Sequence, residues 1–158
     1  MNNLTRNGTV FLFWMICFGS QAESQTTETA RFVTVIQSQV AQLRQRSKTL
    51  PKEFVTAVAI MNGVQARLSS INYAILKRQG KPTPNTTEEC LALRAGICGN
   101  HIAAFLAVAD QLGLRARPVE FYIAGPSPAK NSSHICVEVY YNQRWHLFDV
   151  TWGTYFVL

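Results

Sequence analysis

The fold of this chain is decided by residues 94–105, Arg94-Ala95-Gly96-Ile97-Cys98-Gly99-Asn100-His101-Ile102-Ala103-Ala104-Phe105. A cysteine lies between two glycines, just before an apolar run with helical spacing. Gly96 permits a sharp entry into the turn, and Gly99 lets a backbone or a substrate approach the sulfur. A helix that begins at Cys98 would place the thiol at its positive end, which favours the thiolate. The stretch therefore predicts a helix that carries a nucleophilic cysteine at its N-terminus.

Length and composition restrict the class of protein. The chain has 158 residues, of which 47% are hydrophobic, and these numbers suit one domain with a real core. The formal net charge is +6. The basic side chains are scattered, whereas a nucleic-acid binder more often concentrates them in a stripe interleaved with aromatic residues. We therefore expect no nucleic-acid partner.

The N-terminus has the pattern of a targeting segment. Arg6 precedes the apolar run 10–18, and Ser20-Gln21-Ala22 fits a small-x-small cleavage site. The run is too short for a comfortable permanent span. The pattern predicts a signal peptide at residues 1–22 and an exported protein, periplasmic or extracellular, with no stable membrane span after leader removal. An uncleaved anchor is the alternative.

Three cysteines follow the predicted leader, namely Cys90, Cys98 and Cys136. Because three is an odd number, one thiol stays free even if a disulfide forms. A Cys90–Cys136 bridge is compatible with the sequence but is not established by it. Cys136 alone is read as a small core residue, with a disulfide to Cys98 or Cys90 as the alternative.

Helical periodicity dominates the first two thirds of the chain. One apolar stripe runs from Phe32 to Leu43, with Thr26 or Thr27 as its cap, and a second runs from Phe54 to Ile75. The second stripe predicts one long or kinked helix. We expect an N-terminal helical region at 23–63 and a second region at 64–158. Capping-box spacing at 86–89 predicts a short helix over 87–93, and the cysteine helix is predicted over 98–112.

Strand patterns follow the cysteine helix. Residues 115–123 predict a strand with Pro118 at an edge or bulge, and 134–141 with 144–150 predict a hairpin around Asn142-Gln143. With that turn, Cys136 lies opposite Asp149, and His134 becomes a diagonal neighbour of Asp149 on the same face. A register shift of one residue would separate them. The hairpin therefore predicts a His–Asp pair.

Three blocks of sequence resemble the transglutaminase-like cysteine domains of the wider papain-like group, over roughly residues 64–153. They are Arg94-x-Gly96-x-Cys98-Gly99, Leu112-Gly113-Leu114-x-Ala116-Arg117, and His134 with Trp145-His146-Leu147-Phe148-Asp149-x-Thr151-Trp152-Gly153. The resemblance implies an α+β fold in which the cysteine helix packs on an antiparallel sheet. It implies Cys98 as nucleophile, His134 as base and Asp149 as orienting carboxylate. Such domains usually continue with more sheet after Gly153, so we expect a minimal domain or one truncated at its C-terminus.

A Cys98–His134–Asp149 triad predicts thiol-dependent acyl transfer or hydrolysis at amide or peptide bonds. The expected partner is a protein or peptide substrate, and the mechanism requires no cofactor or metal. One alternative is a catalytically inactive interaction domain of the same fold. Another is a zinc-binding protein with Cys98, His101, His134 and Cys136 as ligands. Outside that alternative, His101 and His146 are expected to have ordinary structural roles.

Overall fold

The computed structural model describes residues 27–123 and 132–156, so the predicted leader lies outside the described residues. Within them the helices are α1 (Glu28–Arg46), α2 (Lys52–Arg67), α3 (Ser70–Arg78), α4 (Thr87–Leu93) and α5 (Cys98–Gln111). The strands are β1 (Ala116–Ile123), β2 (Ser132–Tyr141), β3 (Arg144–Asp149) and β4 (Thr154–Tyr155). They form one antiparallel sheet in chain order. The fold is α+β, as predicted, and no helix in these two ranges is long and apolar enough to cross a membrane.

Two helix starts follow the sequence signals closely. The side chain of Thr27 accepts a hydrogen bond from the backbone N–H of Ala30 and caps α1. At α4, Thr86 accepts from the N–H of Glu89, and the Glu89 carboxylate accepts in return from the N–H of Thr86. These caps satisfy N–H groups that lack a partner inside the helix. Both starts were predictable because capping is a local interaction.

The predicted long second helix is wrong, because the structure divides it into α2 and α3. Leu68 is extended, and Ser69 caps α3 by accepting from the N–H of Asn72. The backbone of Ser69 donates to the carbonyl of Arg94 and accepts from the N–H of Gly96. The break thus lets the chain pair with the segment just before Cys98, and it leaves Ile71 70% exposed. A tertiary pairing has overridden the helical periodicity.

The core lies between the helices and one face of the sheet. On α5, the buried side chains include Ile102, Phe105 and Val108. A Cβ at Gly63 would collide with the Cδ1 atom of Ile36, so glycine allows α1 to pack closely against α2. Because α5 is closely packed in the core, the residues of its first turn are held in a fixed position.

The hairpin has the predicted turn and register. Asn142 and Gln143 both have positive φ, at 49° and 65°, as a two-residue turn matched to the strand twist requires. Tyr141 pairs with Arg144, and the pairing continues to Val137 opposite Phe148. Val137, Val139 and Phe148 are fully buried against the helices. The regular pairing thus brings His134 on β2 and Asp149 on β3 to the same end of the hairpin.

Candidate active site

The first turn of α5 is fixed by two side chains that fold back onto Ile97. The side-chain oxygen of Asn100 accepts from the N–H of Ile97 at 3.0 Å, and the Nδ1 atom of His101 lies 2.8 Å from the carbonyl of Ile97. A Cβ at Gly96 would lie 2.8 Å from the Cβ of Asn100, so glycine is needed for this close approach. Cys98 is the first residue of α5 and is partly exposed. The helix start is as predicted.

His134 and Asp149 form the predicted pair. The Nε2 atom of His134 lies 2.8 Å from Oδ2 of Asp149. The other carboxylate oxygen of Asp149 accepts from the backbone N–H groups of Thr151 and Trp152, both at 3.1 Å. The turn after β3 therefore orients the carboxylate, and the carboxylate orients the imidazole.

Cys136 belongs to the same group of side chains. Potential ligand atoms of His134, Cys136 and Asp149 all lie within 4.8 Å of one another. Burial raises the pKa of the Cys136 thiol to about 11, and the Asp149 charge and a hydrogen bond to its carboxylate act in the same direction. The neighbouring Cys98 side chain is the smallest of these causes, so Cys98 lies near Cys136. Cys136 is buried, as predicted, and it stays protonated beside the His–Asp pair.

Gln65 is a residue of this region that the sequence did not reveal. Its side-chain Nε2 donates to the carbonyl of Thr151 at 3.0 Å and so ties α2 to the turn that holds Asp149. Gly153 has a φ of +66°, and a Cβ there would lie 2.8 Å from both Cδ and Nε2 of Gln65. Glycine thus makes room for the amide. No local signal could have found this pair, because 86 residues separate Gln65 from Thr151.

A cleft of about 290 Å³ lies beside the first turn of α5. Its lining residues are Gln65, Leu68, Ser69, Ser70, Ile71, His101 and Thr151. No carboxylate, lysine or arginine belongs to this lining. The cleft is therefore suited to an uncharged group next to the cysteine helix.

The remaining histidines and Cys90 have other surroundings. His101 is buried against Ile97, and the His146 ring stacks on Tyr141 at 3.7 Å on the core side of the sheet. Cys90 is buried on α4, and none of Cys90, Cys98 and Cys136 forms a disulfide. Within residues 27–123 and 132–156, the His, Cys and acidic side chains close enough to share a metal ion are His134, Cys136 and Asp149. This group differs from the zinc ligands considered from the sequence.

Comparison with known families agrees with this geometry. A family model described as the transglutaminase-like superfamily matches residues 30–150, from the first turn of α1 to the residue after β3. No curated protein and no solved structure matches the chain significantly.

Proposed function

This chain belongs to the transglutaminase-like superfamily, and from that premise we propose that it catalyses acyl transfer or hydrolysis at amide bonds through Cys98. The observation that carries the proposal is the 2.8 Å contact between His134 and Asp149. A carboxylate that is itself held by two backbone N–H groups keeps the imidazole in one orientation and stabilises its cation. A nucleophilic thiol needs a base whose orientation is fixed by a third group, and the His134–Asp149 pair provides such a base.

The ring nitrogens of His134 have separate roles in this mechanism. Because Nε2 is engaged with Asp149, the proton of the Cys98 thiol is taken by Nδ1. The thiolate attacks the carbonyl carbon of an amide to give a tetrahedral intermediate. The C–N bond then breaks, and the amine leaves with the proton that His134 held. The product of this half-reaction is a thioester on Cys98.

The second half-reaction decides the enzyme class. Water attacks the thioester in a peptidase or amidase, and a second amine attacks it in a crosslinking transferase. In both cases His134 removes a proton from the attacking group and returns it to the Cys98 sulfur. The backbone N–H of Cys98, at the start of α5, is suited to donate to the developing oxyanion. We propose a protein or peptide as the substrate, because the uncharged cleft and the exposed Trp152 suit a peptide chain that carries an amide.

Trapping of the thioester tests the proposal. A glutamine-containing peptide or protein should leave an acyl adduct on Cys98, detected by mass spectrometry after acid quench. We expect the adduct to be absent in Cys98→Ala and retained in the matched control Cys90→Ala. In His134→Ala its formation should fall about 100- to 10,000-fold, the range that a positioned acid–base group contributes.

The same reaction distinguishes transfer from hydrolysis. A fluorescent primary amine that becomes covalently attached to the substrate identifies a transferase, whereas release of ammonia or a peptide fragment without amine incorporation identifies a hydrolase. Activity in Cys98→Ala that equals that of the wild type would contradict the proposal.

A further inference from the structure

Three side chains of different chemistry converge at one end of the β2–β3 hairpin. They are the imidazole of His134, the thiol of Cys136 and the carboxylate of Asp149, with potential ligand atoms within 4.8 Å of one another. The catalytic mechanism above uses the first and the third and gives no role to Cys136. Imidazole, thiolate and carboxylate are the three ligand types that zinc accepts in proteins. We propose that these residues form a regulatory site for Zn²⁺ and that zinc bound there blocks the thiol chemistry.

The present geometry needs only a small adjustment to hold the ion. Zinc-to-ligand bonds of about 2.0–2.3 Å at tetrahedral angles place ligand atoms roughly 3.5 Å apart. The Nε2–Oδ2 distance of 2.8 Å must therefore open, and the widest separation of 4.8 Å must close. The first distance changes by about 0.7 Å and the second by about 1.3 Å, and small rotations of the side chains within their rotamer wells supply both changes. Three protein ligands leave a fourth position for water.

The charges of the site balance those of the ion. The thiol of Cys136 loses its proton to solvent when its sulfur binds zinc, so thiolate and carboxylate together neutralise the two positive charges. The imidazole binds through Nε2 and keeps its single hydrogen on Nδ1. Because Cys136 is 3% exposed and Asp149 is 9% exposed, a neutral metal cluster suits the site better than separate charges would.

The surroundings already provide the outer contacts that a metal ligand needs. Oδ1 of Asp149 accepts from the backbone N–H groups of Thr151 and Trp152, which leaves Oδ2 directed at the imidazole. Hydrogen bonds of this kind hold a ligating carboxylate in position. His134 and Cys136 are two residues apart on β2, so their side chains lie on the same face of that strand.

Bound zinc would inhibit the reaction because it determines which ring nitrogen of His134 carries the hydrogen. Zinc on Nε2 fixes the hydrogen on Nδ1, where the proposed mechanism requires a lone pair for the proton of Cys98. The inhibitory role of zinc rests on the proposed function, whereas metal binding rests on the three ligands alone.

Spectroscopy with Co²⁺ tests binding without reference to activity. We expect the chelator-treated full chain to take up one Co²⁺ with a thiolate charge-transfer band that added Zn²⁺ removes. The band should persist in Cys98→Ser and Cys90→Ser and disappear in both Cys136→Ser and Cys136→Val. Circular dichroism identifies the folded variants, and valine suits a buried strand position if serine does not. Loss of the Cys136 ligand should weaken binding by more than the roughly 10- to 100-fold that loss of an outer contact costs.

The outcomes separate the two proposals. Absence of the band, its survival in a folded Cys136 variant, or its loss in Cys98→Ser would overturn the zinc site. Zinc that slows thioester formation at Cys98 in the wild type, with recovery on chelation, supports the inhibitory role. If Co²⁺ binds through Cys136 and zinc leaves thioester formation unchanged, the metal site stands, and the inhibitory role and the proton relay through Nδ1 of His134 are rejected.

Discussion

At the scale of single residues, two cysteines in the same region have opposite surroundings. Cys98 is partly exposed at the start of a helix, whereas Cys136 is buried on a strand beside a carboxylate. Burial raises the pKa of the Cys136 thiol to about 11, so the thiol donates to Asp149 rather than acting as a nucleophile. Burial also raises the pKa of the Cys90 thiol. Reactivity toward thiol reagents should therefore separate the three cysteines.

We predict that iodoacetamide at pH 8 modifies Cys98 and spares Cys136 and Cys90 in the folded protein. A thiol with a pKa of about 11 has about a thousandth of its population as thiolate at pH 8, whereas a free thiol of pKa about 8.5 has roughly a quarter. A thiolate of higher pKa is the stronger nucleophile, which offsets part of this difference, so we expect Cys136 to react at least about 10-fold more slowly than free cysteine. Peptide mapping by mass spectrometry measures the three rates, and denatured protein serves as the control. Equal labelling of Cys98 and Cys136 would contradict this assignment.

At the scale of elements, the hairpin was predictable and the path of the second helical region was not. The positions of Asn142 and Gln143 set the register, and the alternation of the strands set the faces, so the His134–Asp149 pair followed from local rules. The division between α2 and α3 depends on the pairing of Ser69 with Ala95, which no periodicity contains. The contact of Gln65 with Thr151 is equally remote in sequence.

Gly153→Ala tests the tie between α2 and the turn that holds Asp149. Alanine at a φ of +66° carries a backbone cost of about 1–2 kcal/mol, and its Cβ would also displace the Gln65 amide. Gly113→Ala is the matched control, because Gly113 has a φ of +65° and a Cβ there would meet no atom within 4 Å. We expect Gly153→Ala to lower the urea-derived free energy of unfolding by more than Gly113→Ala does. The added substitution Gln65→Ala should remove the difference.

If Gly153→Ala and Gly113→Ala lower the free energy of unfolding equally, the missing Cβ at Gly153 is not needed for the position of the Gln65 side chain. Because Gln65 acts through the turn, Gly153→Ala should also slow thioester formation at Cys98, whereas Gly113→Ala should not.

At the scale of the whole molecule, α1 is attached to the rest of the fold through its N-terminus as well as its apolar side. The Glu88 carboxylate on α4 accepts from the N–H groups of Glu28 and Thr29 and from the Thr29 hydroxyl. Arg67, at the end of α2, contacts the Glu28 carboxylate at 2.6 Å. These bonds hold the pKa of Glu88 below its usual value, with the Thr29 hydroxyl bond as the largest cause. A negative charge at a helix N-terminus is also favoured by the helix dipole.

We predict that Glu88→Gln lowers the thermal midpoint at pH 7 and that this loss shrinks as the pH falls. The folded state binds the Glu88 proton less tightly than the unfolded state does, so the stabilisation is present above the ordinary glutamate pKa of 4.5 and disappears as the pH falls through the lowered value. Thermal unfolding at pH 7 and at pH 3 measures the effect, and Glu53→Gln, in the first turn of α2, controls for loss of one charge. A midpoint for Glu88→Gln that equals that of the wild type at pH 7 would show that the cap contributes nothing.

Because the turn between β2 and β3 has only two residues, the relative position of His134 and Asp149 depends on whether the hairpin length changes by an odd or an even number of residues. His134 and Asp149 lie 15 residues apart, and the turn joins the strands without a spare residue. Insertion of a single residue between them sends one of the two side chains through the sheet, to the side where Val137 and Phe148 are fully buried. Insertion of two residues lengthens the hairpin and returns both side chains to the same side. Insertions of an even number of residues into the hairpin should therefore be tolerated better than insertions of an odd number, although the turn touches neither side chain.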